Sequence, residues 1–229
     1  MPPPETVSET SGFEALMSYC KERENEVVVQ WDGGGMLWGK SFLSLRDGRW
    51  LNDEVISGYF ILLHQHEFHK KGFFHTKFAL QLASTGTYNY ENVKKYHTTK
   101  RTRDKKTIFM YDHLYFPINH NESHWLLIEY DVKMSELKVY DSWPGGEAAV
   151  WVGRIAQYIA DEYWRLYKNE CPFKDKLRDN VVYSSCPKQD NGWDCGVFVC
   201  LFGYYLATEQ EMSFSRSMWQ TTEEQLRSV

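Results

Sequence analysis

The sequence predicts an α+β fold with a central sheet flanked by helices, on three observations. Residues Glu147 to Lys168 carry Val150, Trp151, Ile155, Tyr158, Ile159, Tyr163 and Leu166 at helical spacing, which marks a long amphipathic helix. The segments His124–Val132 and Leu137–Ser142 read as two strands joined by a short turn near Met134. Strands and helices then follow one another as helix, strands, helix, strand, helix, without the regular alternation of a parallel α/β sheet.

Taken in order, residues 1–12 are rich in Pro, Ser, Thr and Glu and are expected to be disordered, with 13–229 forming a single domain. Phe13 to Glu24 can form a short helix. Asp32 to Gly35 and Arg46 to Arg49 are turns. Asn52 or Asp53 can cap a helix whose apolar face is Val55, Ile56, Tyr59, Phe60 and Leu63. Residues 73–83 mix Phe, His and Leu without a period. Lys94 to Lys106 is strongly basic, and Ile108 to Ile118 reads as an aromatic-rich strand. After the hairpin, Trp143 to Gly146 is a turn, Asn180–Tyr183 a short strand, and Cys195 to Ala207 a buried apolar helix.

Composition narrows the function classes. With 229 residues, 42% hydrophobic and 16% aromatic, the chain can bury a large core. A net charge of −5 argues against nucleic-acid binding as its main task. Met1 to Thr10 lacks a secretory pattern, and the apolar run at Cys195–Ala207 is too short to span a bilayer. Five cysteines, an odd number without a CxxC pair, fit reduced thiols in the cytoplasm or nucleus, or in a host cytosol for an exported effector. His64, His66 and His69 do not share one helix face, so no metal site is expected.

The chemistry resides in spacing. A hairpin centred near residue 133 sets His124 opposite residue 142, give or take two, so Asp141 falls beside the imidazole. A carboxylate there fixes the tautomer and stabilises the imidazolium. Cys195 stands where the loop Cys186–Asp194 enters a helix, at the positive end of the helix dipole, which favours the nucleophilic thiolate. Gln189 on that loop can reach an oxyanion that also meets the Cys195 amide. Two rivals rank lower. His120 sits in the loop-like run Asn119–Glu122 and is expected to face solvent, and Asp131 lies at the hairpin turn.

Four motifs carry a resemblance: Trp50-Leu51-Asn52-Asp53; Phe116-Pro117-Ile118-Asn119 running to Ser123-His124-Trp125; Val139-Tyr140-Asp141-Ser142; and Gln189-Asp190-Asn191-Gly192-Trp193-Asp194-Cys195-Gly196. Together they resemble the ubiquitin-like-protein proteases, the SUMO (sentrin) protease family, over roughly Phe42 to Phe214. The resemblance implies a papain-like fold in permuted order, with Cys195 as nucleophile, His124 as base and acid, Asp141 as its orienter and Gln189 in the oxyanion hole. It implies that Trp50 and Trp125 flank the modifier's Gly-Gly tail, with Asp53 and Trp193 among the substrate contacts. The implied activity is cleavage of a ubiquitin-like modifier, SUMO before ubiquitin or a Nedd-type modifier, after Gly-Gly, by a monomer without metal or organic cofactor. The basic stretch 94–106 reads first as a solvated loop; of its two functional readings, the resemblance favours docking of acidic residues on the modifier or its target over a nucleic-acid patch. Acetyl transfer by the same clan and catalysis-free modifier binding are the competing classes.

Overall fold

The computed structural model describes residues 9–31, 35–65, 70–84, 86–94, 96, 107–143 and 148–215. Helix α1 (Glu9–Glu22) leads into a hairpin of β1 (Val27–Gln30) and β2 (Met36–Trp38), followed by the one-turn α2 (Gly39–Phe42). Next come α3 (Asp53–Gln65), β3 (Lys71–Phe73) and α4 (Thr76–Leu82). The central strands are β4 (His113–His120), β5 (His124–Asp131) and β6 (Glu136–Tyr140). The chain continues through α5 (Ala148–Tyr167), α6 (Lys174–Asp179), β7 (Val181–Tyr183) and α7 (Cys195–Thr208).

Five strands make one mixed sheet in the order β3-β4-β5-β6-β7, with the outer pairs parallel and the inner pairs antiparallel. Both faces are covered, which explains why the inner strands read as unbroken apolar runs rather than alternating ones. Leu114, Phe116 and Ile118 of β4, with Leu126 and Ile128 of β5, turn toward α4 and α5. Tyr115, Trp125 and Leu127 turn the other way, toward α3 and α7. Helix α7 lies close on α3 because two glycines face it. A Cβ on Gly203 would stand 2.6 Å from the Phe60 ring, and one on Gly196 2.8 Å from Leu51 Cβ.

Several elements differ from the sequence reading. Residues 9–12 belong to α1 rather than to a disordered start. The aperiodic stretch 73–83 contains the end of β3 and all of α4, two elements too short to show a period. The stretch read as a strand from Ile108 begins with a 3-10 turn, Ile108–Met110, and the strand starts at His113. The β1–β2 hairpin and α6 went unread. Residues 1–8, 32–34, 97–106 and 144–146, and His66 and His69, lie outside the described residues.

Candidate active site

His124 opens β5 and stands opposite His120 of β4. On the other side the ladder with β6 runs from Asp131↔Glu136 to Leu127↔Tyr140 and stops. Extended to His124, that register is one residue from the one expected from the turn. Asp141 is therefore the first residue beyond the ladder, where its side chain is released from the pleat. His124 Nε2 and Asp141 Oδ1 are 2.7 Å apart. The same Oδ1 accepts from the Trp143 amide at 2.9 Å, so the carboxylate is held from two directions.

The loop from Cys186 to Asp194 is tied to this strand end. Lys188 Nζ donates to the Asp141 carbonyl at 2.6 Å, and the Cys186 thiol donates to it at 3.4 Å. Ser142, fully buried, accepts from the Gln189 amide at 3.0 Å and donates through Oγ to Gln189 Oε1 at 2.6 Å. Gln189 Nε2 donates to the Asn191 carbonyl at 2.7 Å, which leaves a second hydrogen on that nitrogen. Asn191 Oδ1 accepts from the amides of Trp193 and Asp194, an Asx turn that sets the entry into α7.

Cys195 is the first residue of the 14-residue α7 and is 2% exposed. Its sulfur lies near the His124 ring and acts on that ring's charge. Since Nε2 is engaged by Asp141, Nδ1 is the nitrogen left for the thiol. Burial by itself pulls the His124 pKa down. The hydrogen bond to Asp141 and the nearby Cys195 oppose it and prevail, raising the pKa to about 9. The other thiols differ in kind. Burial raises those of Cys20, Cys171 and Cys186, and pushes Cys200 up to about 12, so they behave as apolar groups.

A cleft of about 760 Å³ opens over Cys195 and is lined by Trp50, Asp53 and Trp125 among others. Trp125 is buried, at 5% exposure, whereas Trp50 is 55% exposed. The Trp50 indole N–H donates to the Gly192 carbonyl at 2.8 Å, which ties this ring to the loop that delivers Cys195. An exposed indole with its polar edge satisfied offers its apolar face to a ligand. Asp53 starts α3 at the mouth of the cleft. Trp193 is half-buried on the loop and does not line the cleft.

Of the residues singled out from sequence, His124 and Asp141 are hydrogen-bonded, Cys195 lies near the His124 ring, and Gln189 is tied to the same strand end. His120 is not solvent-facing as expected. It ends β4 half-buried, and its Nδ1 accepts from the Trp151 indole at 3.2 Å. Asp131 lies at the far end of the hairpin, where it accepts from the Met134 amide and from Lys138. Sequence reasoning passed over Ser142, Lys188, Cys186 and Asn191. Only Asn191-Gly192 carried a local signal, as a turn pair.

Known proteins resemble the chain in sequence and in fold. The model of the Ulp1 protease family, C-terminal catalytic domain, matches residues 49–227. The chain is 30% identical over 210 residues to ubiquitin-like-specific protease 1A of Arabidopsis thaliana, covering 87% of this chain and 40% of that protein. It is 28% identical over 173 residues to sentrin-specific protease 2 of Homo sapiens, covering 76% of this chain and 28% of that protein. It thus spans well under half the length of these relatives. A solved structure, the C-terminal Ulp1 protease domain in complex with Smt3, the yeast ortholog of SUMO, superposes with a TM-score of 0.73. That superposition covers 93% of this chain and 91% of the other at 22% identity, and so speaks to the fold. The chain belongs to the Ulp1 protease family.

Proposed function

We propose that this member of the Ulp1 protease family is a thiol peptidase that releases a ubiquitin-like modifier, SUMO first, by cutting after its C-terminal Gly-Gly. The observation that carries the proposal is the His124 ring bonded to Asp141 beside Cys195, whose place at the head of α7 lines a cleft shared with Trp50 and Trp125.

In this reading the Cys195 thiolate, paired with the His124 imidazolium, attacks the terminal glycine carbonyl. The negative charge on the carbonyl oxygen meets the Cys195 amide and the second Nε2 hydrogen of Gln189. His124 then gives its proton to the departing lysine amine, or to the amine of a short propeptide, and the C–N bond breaks to leave a thioester. A water deprotonated by His124 hydrolyses that thioester and restores the thiolate. Asp141 holds the ring so that Nδ1 faces sulfur throughout.

Trp50 and Trp125 serve as the walls for a tail without side chains. Glycine has no Cβ, so two indoles can close on it where they would exclude any other residue. Asp53 stands near the tail's entrance. All five cysteines are free, which supports work in a reducing compartment, cytoplasm or nucleus. No helix of the described residues is long and apolar enough to cross a membrane.

The test is a panel of fluorogenic substrates carrying the C-termini of SUMO, a Nedd-type modifier and ubiquitin. Preferential turnover of the SUMO substrate, lost in Cys195→Ala, supports the proposal. Turnover of ubiquitin alone would overturn the choice of modifier, and binding without turnover would overturn the hydrolase.

A further inference from the structure

The turn between β4 and β5 is short and conformationally demanding. Asn121 and Glu122 both take positive φ, 51° and 56°, which non-glycine residues rarely adopt in succession. Residues held there persist only where their surroundings impose the conformation. His124 follows after one residue, so the direction of its ring depends on how this turn is held.

The hold comes from helix α5 on the far side of the sheet edge. Trp151 is 7% exposed, and its indole N–H donates to His120 Nδ1 at 3.2 Å. The other ring nitrogen, Nε2, then carries the proton and lies 2.9 Å from Asn121 Nδ2, also a donor, so this contact adds no hydrogen bond. The His120 carbonyl accepts from the Ser123 amide at 3.1 Å and from Ser123 Oγ at 3.3 Å, which closes the turn. The Arg154 guanidinium covers the indole face, 4.7 Å from its centre, and donates to the Gly86 carbonyl at 2.6 Å. The path to His124 runs from the 20-residue helix α5 through the His120 ring and its carbonyl to Ser123, the residue before His124. An indole is a donor only, so His120 Nδ1 must present its lone pair, which fixes one tautomer and one ring orientation.

We propose that Trp151 and His120 act together as positioning residues for the catalytic imidazole: their hydrogen bond clamps the 121–123 turn and so aims His124 at Cys195. The inference rests on the assignment of Cys195 and His124 to the reaction. Trp151 lines the same cleft as Cys195, and His120 does not. Their effect passes through the placement of the His124 ring, and a displacement of the order of 1 Å at a reacting group can cost as much as roughly 100-fold in rate.

Trp151→Phe keeps the apolar ring beneath Arg154 and removes only the N–H. It is compared with the parent, His120→Leu, which removes the acceptor, His120→Gln, which keeps one, and the double variant Trp151→Phe/His120→Leu. The primary readout needs no modifier: the rate of Cys195 alkylation by iodoacetamide at neutral pH, followed by intact mass. That rate reports the thiolate–imidazolium pair directly. Expected is a loss of about tenfold in Trp151→Phe, a similar loss in His120→Leu, no further loss in the double variant, and a return toward the parent in His120→Gln. On a SUMO substrate the loss should fall on kcat, with KM within about twofold. A parental alkylation rate in Trp151→Phe would overturn the inference, and so would additive losses in the double variant. A loss confined to KM would overturn it too, because the clamp would then serve modifier binding. A parent that alkylates normally but cleaves none of the three modifiers would sink the proposed function, while the alkylation series would still decide the clamp.

Discussion

The two faces of the sheet are built on different rules. On the α4/α5 face, aromatic rings interlock: Phe74 stacks on Phe116 at 4.3 Å, and Phe78 meets Tyr158 edge-on at 4.8 Å. On the α3/α7 face the same strands bury charge. Glu129, 3% exposed, pairs with His113 at 2.7 Å and accepts from the Tyr140 hydroxyl at 2.8 Å. Lys71, 8% exposed, donates to the last carbonyls of α7 and pairs with Glu209. Cys195, Trp125 and the Gln189 network belong to this second face or its rim. The difference lies in the strands: the side chains they bury on their α4/α5 side, the dry face, are hydrophobic, the buried Glu162 there being carried by α5 and paired with Arg165, whereas their other side buries charge beside a reactive group.

That difference can be broken at either face. The largest effect is expected from Cys195→Ala, which should lower turnover by roughly 10⁵-fold with the melting temperature nearly unchanged. Substrate hydrolysis and thermal melts on the same preparation check it, and appreciable residual turnover would assign the nucleophile elsewhere. Phe116→Ala on the dry face should do the reverse, costing about 3–5 kcal/mol of stability while the folded fraction keeps its specific activity. Denaturant unfolding and active-site titration measure the two quantities separately. Gln189→Leu should return to the first pattern at a smaller scale, with kcat down roughly 10²–10³-fold and KM little changed. If its loss appeared in stability instead, Gln189 would count as part of the loop's scaffold alone.

Titration gives the gentlest probe. His124 has a pKa raised to about 9, so the imidazolium that protonates the leaving amine persists below that pH and disappears above it. The alkaline limb of kcat should therefore fall with an apparent pKa near 9. In Asp141→Asn it should move down toward the ordinary histidine value near 6.5. The sign for stability follows from the same shift. The stabilisation linked to protonated His124 is complete below about pH 6.5, the unfolded value, and is lost as pH rises through about 9. A limb that stayed in place in the Asn variant would show that Asp141 does not set the ring's charge.

Much of this was legible before any coordinates because local chemistry encodes it. The amphipathic helix Glu147–Lys168 was expected within one residue of α5 at each end, since 20 residues show a period that packing does not override. The hairpin register came within one residue because a four-residue turn leaves little room to slip. What could not be read was set by distant partners. β3 and α4 have 3 and 7 residues, too few for a period, and exist because the sheet edge and α3 receive them. His120 looked like a loop residue among polar neighbours. Its place on β4 comes from the ladder to His124, and its ring takes a bond from Trp151, 31 positions away. The ties of Lys188 and Cys186 to the Asp141 carbonyl likewise join residues that no sequence window contains.

Gly196, the residue after Cys195, meters how far that sulfur stands from the His124 ring. With Gly196 set against Leu51 and Ile56, the start of α7 has no clearance toward α3. One methyl group there would act as a wedge. It would push the first turn of the helix outward, carrying the sulfur and the Gly192 tether of Trp50 together, so reach and gate would slip at once. Tolerance at this position is thus a gauge of the whole assembly: a residue that bears no functional group fixes the spacing on which those that do depend.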